Sequence, residues 1–241
     1  MAPADFWAQW LGTPLWWLSI TLLVYLLALA LYQRSGHNPL VNPVALSIAG
    51  LSGVLWLSGT PYATYFEGAQ LVHFLLGPAT VALAVPLFEQ SRRLRHAWLP
   101  LLGGIVVGTL TTAASALGLA WALGASKSTL ASLVPKSVTT PVAMGISQQL
   151  GGLPSLTAVL VVTTGIVGAA SARWWFARLH IADDPMVRGL ALGVAAHGIG
   201  TARAFQIDEK TGAFAGLAMG LTALFSALVL PWLAAPLLRW L

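Results

Sequence analysis

The sequence predicts an all-α polytopic membrane protein of about seven to eight membrane segments, some of them broken or re-entrant, and three observations carry that prediction. First, 57% of the 241 residues are hydrophobic and only 8% are charged, against roughly 25% charged in an ordinary soluble domain. A soluble fold of this size needs a charged shell that 12 Lys+Arg and 7 Asp+Glu cannot supply, so apolar surface must face lipid. Second, apolar runs recur at the length that fits, since ~20 residues cross a ~30 Å hydrocarbon core as a helix. Third, several runs are interrupted by Pro, Gly and polar residues, which a plain lipid-facing anchor does not carry. Residues 1–241 therefore read as a single integral membrane domain.

The net charge of +5 sits in short clusters between apolar runs rather than along one face. Lipid headgroups and membrane orientation account for it better than nucleic acid, which is not expected as a partner. The absence of cysteine removes disulfides, thiolate metal sites and thiol nucleophiles. Met1 to Thr13 carries Asp5, Trp7 and Trp10 without a basic n-region, and reads as an interfacial lead-in to a retained helix.

The first span runs from Pro14 to Gln33, with Trp16 and Trp17 as interface anchors, and ends at Arg34-Ser-Gly-His37. The second, about Pro43 to Ser58, stops at Gly59-Thr-Pro61. A third, from near Gly68 to Glu89, meets Gly77-Pro78 and Pro86 and is expected to break near its middle. After Arg92, Arg93, Arg95 and His96, a fourth covers Ala97 to Leu123, rich in the small residues that let membrane helices pack closely. Ser126 to Gly152 is short, interrupted by Pro135 and Pro141 and dense in hydroxyls and amides, a poor lipid-facing helix. Pro154 to about Phe176 spans again and leads into the basic segment Arg173 to Arg188. Gly189 to Ala204 is interrupted at His197-Gly-Ile-Gly-Thr-Ala-Arg203, and Gly212 to about Leu238 is the last span.

The positive-inside rule places Arg34/His37, Arg92 to His96 and Arg173 to Arg188 in the cytoplasm. All three agree only if the N-terminus is outside and Ser126 to Gly152 enters and leaves on one side, so that stretch is expected to be re-entrant. A weak internal similarity links Gly77 to Pro86, and the helix after it, with Ser137 to Ala143 and the helix after it. It is the pattern of an inverted repeat, although small residues recur in all membrane helices.

An ionisable group at membrane depth is costly and is by default a functional candidate. Lys136 abuts Ser137, Thr139, Thr140 and Pro141, and His197 and Arg203 flank Gly198, Gly200 and Thr201. None of the seven acids, Asp5, Glu67, Glu89, Asp183, Asp184, Asp208 and Glu209, lies centrally in a span, which argues against a cation site built on a buried carboxylate. Basic groups, hydroxyls and helix N-termini suit an anion instead. Arg203 can hold a carboxylate bidentately, with Thr80 beside Pro78, Thr139, Thr140 and Thr201 bonding the rest of a small polar acid.

Structural readings stand beside these. Lys136 at a helix end can snorkel to headgroups, Arg203 can pair with Asp208 or Glu209, and His197 can be a packed, hydrogen-bonded histidine as readily as a proton relay. His73 alone on an apolar segment reads as structural, and membrane Ser and Thr often bond their own backbone. Metalloprotease, nucleophile-elbow and Walker-type motifs are absent, so neither enzyme activity, metal nor cofactor is expected. Only Ser or Thr with His197 can be put forward as a hydrolase pair.

The motifs Gly77-Pro-Ala-Thr-Val-Ala-Leu-Ala-Val-Pro-Leu87, Lys136-Ser-Val-Thr-Thr-Pro-Val-Ala143, Gly151-Gly152 with Pro154, and His197 to Arg203 with Gly212-Ala-Phe214 resemble the LrgB/CidB family of bacterial membrane proteins. The resemblance spans nearly the whole chain. It implies either antiholin-like control of murein hydrolase activity and autolysis beside a small LrgA/CidA-type membrane partner, or transport of short acids. Some bacterial members act in pyruvate uptake, and plant relatives move glycolate and glycerate in plastids. Where family members often carry an acid, this chain has Gln148, which removes that group from any proton coupling. The plant proteins also fuse the partner to the same chain, for which there is no room here.

The residues and the resemblance together lead to the expectation of an inner-membrane secondary transporter or facilitator of small monocarboxylates. Arg203 would bind the carboxylate and His197 or Lys136 would balance charge. The Gly/Ala-rich spans also allow close packing into a homo-oligomer.

Overall fold

Apolar runs bounded by Pro, Asn and Gly become helices whose ends those residues set. The computed structural model describes residues 13–36, 38, 41–82, 88, 95–181 and 184–240. Its helices are α1 (Pro14–Arg34), α2 (Pro43–Ser58), α3 (Tyr62–Ala82), α4 (Trp98–Ala122), α5 (Lys127–Leu133), α6 (Thr140–Gln149), α7 (Pro154–Arg178), α8 (Pro185–Ile207) and α9 (Glu209–Trp240), with no strand among the described residues. Proline stands in the first turn of α1, α2, α6, α7 and α8, where its missing N–H has no intrahelical partner to lose. Asn42 caps α2 by accepting from the amides of Val44 at 2.9 Å and Ala45 at 3.1 Å. Gly59 ends it in the left-handed conformation, φ +64°, that a side chain resists.

The α2 limits are those read from the sequence, and α1, α4, α7 and α9 differ from expectation by a few residues at most. The third span needs correction. It begins at Tyr62 and continues without a break through Pro78 to Ala82. A membrane helix tolerates an internal proline because neighbouring groups and local adjustments satisfy the freed carbonyl. The lead-in up to residue 12, His37, Pro86, Glu89, Arg92, Arg93 and Asp183 lie outside the described residues, as do the side chains of His73 and Thr80. The first copy of the expected repeat runs into residues 83–87, also outside them.

Contacts divide the chain into two compact units, Met1–Ala82 and Leu83–Leu241. In the first, α1 packs against α2 and α3. Trp17, 1% exposed, meets Tyr65 edge-on at 5.9 Å, and Thr21 donates to the Tyr65 hydroxyl at 3.2 Å. Gly68 lies so close to Pro14 and Trp17 that a Cβ would strike the Pro14 carbonyl. Leu22, Leu23, Leu26 and Leu27 face outward and exposed, as lipid-facing side chains do.

The second unit holds α4 to α9, and its register can be followed through shared clusters. Ile105 and Ala218 share one cluster and Leu117 and Leu230 another, 12 residues on along both helices, so α4 and α9 run parallel. The end of α4, α5, the end of α6 and the end of α9 gather in the cluster of Leu117, Leu130, Val134, Ile146 and Leu230. Because α7 starts beside them at Pro154, α5 and α6 leave from and return to one end of the unit. They form a helical hairpin.

A second hairpin lies within α8. Its first arm runs along the start of α9, with Gly189 against Thr211 and Phe214 and Gly193 against Ala218. After His197 the chain comes back, for Thr201 reaches Met219 at 3.8 Å, Ala204 shares a cluster with Ala215, and Gly212 abuts Phe205. Gly200 lies against the Leu192 carbonyl, eight residues back, which a straight helix would hold ~12 Å away. Hairpin followed by long helix thus occurs twice, as α5–α6–α7 and as α8–α9, and the two long helices run in opposite directions.

Four helices among the described residues are long and apolar enough to cross a membrane: α1, α4, α7 and α9. The chain is a multi-pass membrane protein. Since it lacks cysteine, single substitutions give a clean readout. Gln149→Cys, next to the start of α7, and Arg178→Cys, at its end, should react with a membrane-impermeant thiol reagent from opposite faces of the membrane. Labelling of both from the same face would overturn α7 as a crossing helix.

Candidate functional site

The first hairpin reverses between Leu133 and Thr140. Ser126 caps α5 by accepting from the Thr129 amide at 3.3 Å. Beyond Leu133 the chain makes tight turns, with Lys136 N–H donating to the Leu133 carbonyl at 3.1 Å and Val138 N–H to that of Pro135 at 3.0 Å. Pro135 cannot continue an unstrained helix, and Pro141 presets the first turn of the next one. Thr139 stands at the N-cap of α6 without a side-chain hydrogen bond to it. Lys136, half-buried, donates from Nζ to Ser137 Oγ at 3.3 Å. At the base of the hairpin the Leu153 amide donates to Ser132 Oγ at 2.8 Å. There Thr157, fully buried, donates to Ser147 Oγ at 2.7 Å.

The second hairpin reverses at a single residue. His197 has φ +41° and ψ −130°, near the first central position of a type II′ turn, where glycine is the usual occupant. Such backbone costs a side-chain-bearing residue about 1–3 kcal/mol. The offsetting contact is in the ring, where Nε2 lies 2.8 Å from the Val161 carbonyl of α7. A carbonyl only accepts, so Nε2 carries the hydrogen and Nδ1 is the acceptor in the neutral ring. The ring fits because residue 165 is glycine: a Cβ there would lie 2.7 Å from Cε1 and 2.8 Å from Nε2. Thr201 Oγ1 donates to the His197 carbonyl at 2.9 Å, as hydroxyls one turn on commonly do.

Val161 brings the two reversals together. Its carbonyl accepts from His197, and its side chain packs with Val138 and Ala143 of the first hairpin, backed by Ala223 of α9. The pairs Ser147–Thr157 and Ala143–Val161 show α6 running antiparallel to α7, so one further turn sets Thr139 and Thr140 level with Gly165, against which the His197 ring rests. By the register of α4 with α9, Thr109 is level with Thr222. Among the described residues Thr109 Oγ1, Thr222 Oγ1 and Ser226 Oγ are buried without a hydrogen-bond partner, whereas Ser47, Thr163 and Ser171 each bond a carbonyl one turn back. These three hydroxyls were not singled out from the sequence. For Thr222 and Ser226 the available signal was their four-residue spacing within a small-residue face; Thr109 carries no such signal.

Among the expected site residues, Lys136, Ser137, Thr139, Thr140 and Pro141 belong to the first reversal and His197, Gly198, Gly200 and Thr201 to the second. Arg203 does not join them. It lies on the returning arm, donates from Nη1 to Gln206 Oε1 at 3.0 Å, and lines a cavity with Arg173 and Arg188. Of the two carboxylates near it in sequence, Asp208 caps α9, accepting from the Thr211 amide at 2.8 Å and from the Thr211 hydroxyl at 2.5 Å. Pro78 and Thr80 lie on α3 in the first unit. Among the described residues no three His, Asp or Glu side chains gather as a metal site would need.

A sequence model of the LrgB-like family matches residues 21–235. The chain belongs to the LrgB-like family. Relatives of this LrgB-like chain include the protein YwbG of Bacillus subtilis (strain 168), 35% identical over 216 residues that cover 90% of this chain and 95% of the relative. The protein YxaC of the same organism is 34% identical over 222 residues, covering 92% and 94%. The holin-like protein CidB of Staphylococcus epidermidis is 30% identical over 215 residues, covering 87% and 93%. No solved structure matches the LrgB-like chain.

Two predictions follow from the second reversal. His197→Gly should melt higher than His197→Ala, because both lose the ring's hydrogen bond but only glycine sheds the positive-φ cost, ~1 kcal/mol or more. The opposite order would show that backbone strain at His197 is not limiting. Gly165→Val should cost about 1–3 kcal/mol by overpacking against the ring, whereas Gly220→Ala, with open space around it, should be neutral or slightly stabilising by thermal melting in detergent.

Proposed function

We propose that this chain is a secondary transporter or facilitator of small monocarboxylates in the bacterial cytoplasmic membrane, acting on pyruvate, glycolate, glycerate or similar 2-oxo and 2-hydroxy acids and catalysing no chemistry. The observation that supports it is the meeting of two helical hairpins at one level of α7, about Val161 to Gly165. Substrate sites of secondary transporters lie where broken helices meet near the midplane, with helix N-termini directed at anionic groups. Here the N-terminus of α6 at Thr139 and Thr140 and the second arm of α8 after His197 supply such ends. Lys136 provides the positive charge and Ser137, Thr139 and Thr140 the hydroxyls. Thr109 and Thr222, buried hydroxyls with unused donors, extend the polar lining. Arg203 acts at the mouth rather than at the centre.

With α2 and α3 also crossing and both hairpins re-entrant, the chain has eight membrane segments, and the clusters at Arg34, Arg95 and Arg173–Arg188 fall on one side, as the positive-inside rule requires. The first hairpin then opens from the outside and the second from the cytoplasm, so each guards one face of the site. In proteoliposomes the wild-type chain should show saturable uptake of one of pyruvate, lactate, glycolate or glycerate, and Lys136→Gln, once insertion is confirmed, should lower it at least tenfold. Uptake at the wild-type level in that variant would remove Lys136 from the site.

The similarity to a holin-like protein CidB supports a second reading, an antiholin-like regulator of murein hydrolase activity and autolysis that works with an LrgA/CidA-type membrane partner, itself a single copy or a homo-oligomer. An autolysis phenotype that persists in Lys136→Gln cells lacking uptake would favour it over transport.

A further inference from the structure

At the end of α7 and the base of the second hairpin lies a cavity of about 390 Å³ lined by Arg173, Arg188 and Arg203 with Ala172, Phe176, Ala177 and Ile207. Arg188 holds its guanidinium 5.6 Å from the centre of the Phe176 ring, which fixes one wall. Three guanidiniums around one space exceed what a monocarboxylate needs, and their planar forks match phosphate oxygens.

A second cavity, about 290 Å³, adjoins the first, sharing Ala172 and Phe176 as walls, and its remaining lining includes Trp175, Leu179, Leu192 and Gly168. It is almost wholly apolar. From Leu179, the residue that ends α7, back to Gly168 it follows a rise of 11 positions, ~16 Å of helix and close to the depth of one leaflet's hydrocarbon, ~15 Å. Trp174 and Trp175, packed edge-on at 4.5 Å and both exposed, mark the headgroup level where such rings settle. A cationic pocket at headgroup height and an apolar slot running one leaflet deep from it have the two halves of an anionic phospholipid.

We propose that this paired cavity binds one anionic phospholipid, its phosphate held by Arg173, Arg188 and Arg203 and one acyl chain lying in the slot beside Trp175 and Leu179. The site is separate from the two reversals and stands whether or not the chain transports carboxylates.

The full chain, purified in neutral detergent, tests this by thermal melting and native mass spectrometry with added phosphatidylglycerol, phosphatidylcholine of the same acyl chains, or inorganic phosphate. Phosphatidylglycerol should raise the melting temperature and remain bound as a single copy, with phosphatidylcholine and inorganic phosphate giving smaller shifts. Arg203→Gln should weaken phosphatidylglycerol binding roughly tenfold or more, the loss of one charge-assisted hydrogen-bonding group. Ala195 also lines the slot, and Ala195→Phe, which fills it and leaves the arginines in place, should weaken binding without altering the response to phosphate; this variant keeps the test open if Arg203→Gln fails to fold. Equal shifts from both lipids, undiminished phosphatidylglycerol binding in both variants, or a full shift from inorganic phosphate alone would each overturn the proposal.

Discussion

The hydrogen bond from the His197 ring to the Val161 carbonyl is the interaction on which the second unit depends. A chain that turns back among packed helices must satisfy its buried polar groups within the protein. At His197 the helix ends, the backbone enters a strained conformation and the chain reverses, all in one residue. The ring converts that liability into an attachment to α7. Gly165 is the other half of the same contact, since any side chain there would occupy the space the ring needs.

The first hairpin meets the same constraint with different chemistry. It spreads its reversal over Val134 to Thr139 with local turns and anchors its base through the buried hydroxyls of Ser132, Ser147 and Thr157. Hydroxyls suit this task because each donates and accepts, and so can bridge an amide, a carbonyl and another hydroxyl where all are buried. Both hairpins use α7 as a common post, one through side chains and one through a main-chain oxygen.

The helix limits were largely legible because Pro, Asn and Gly act locally, as at Pro43, Asn42 and Gly59. The hairpin course of Ser126 to Gly152, which leaves from and returns to one end of its unit, agrees with the charge pattern, in which basic clusters on both sides ask for an even number of crossings between them. Pro78 misled, because a proline breaks a helix only where the freed carbonyl finds nothing else to do. The polar interruption at His197 was visible, but the full reversal was not, since it rests on a φ value and on the contact of Gly200 with Leu192, neither of which has a sequence signature. Arg203 was grouped with His197 by proximity in sequence. The returning arm carries it away from the reversal, toward Arg173 and Arg188.

α9 is 32 residues long, ~48 Å of helix, well over the ~30 Å of hydrocarbon it has to cross. A helix so much longer than its slab tilts, kinks or thickens the bilayer around it, and Pro231 and Pro236 lie within α9. Its first half carries the arms of the second hairpin, and from near its middle at Ala223 on to Leu230 it touches the first hairpin. Both hairpins are therefore fastened to the same helix, so a substitution that displaces α9 is felt by the two reversals together.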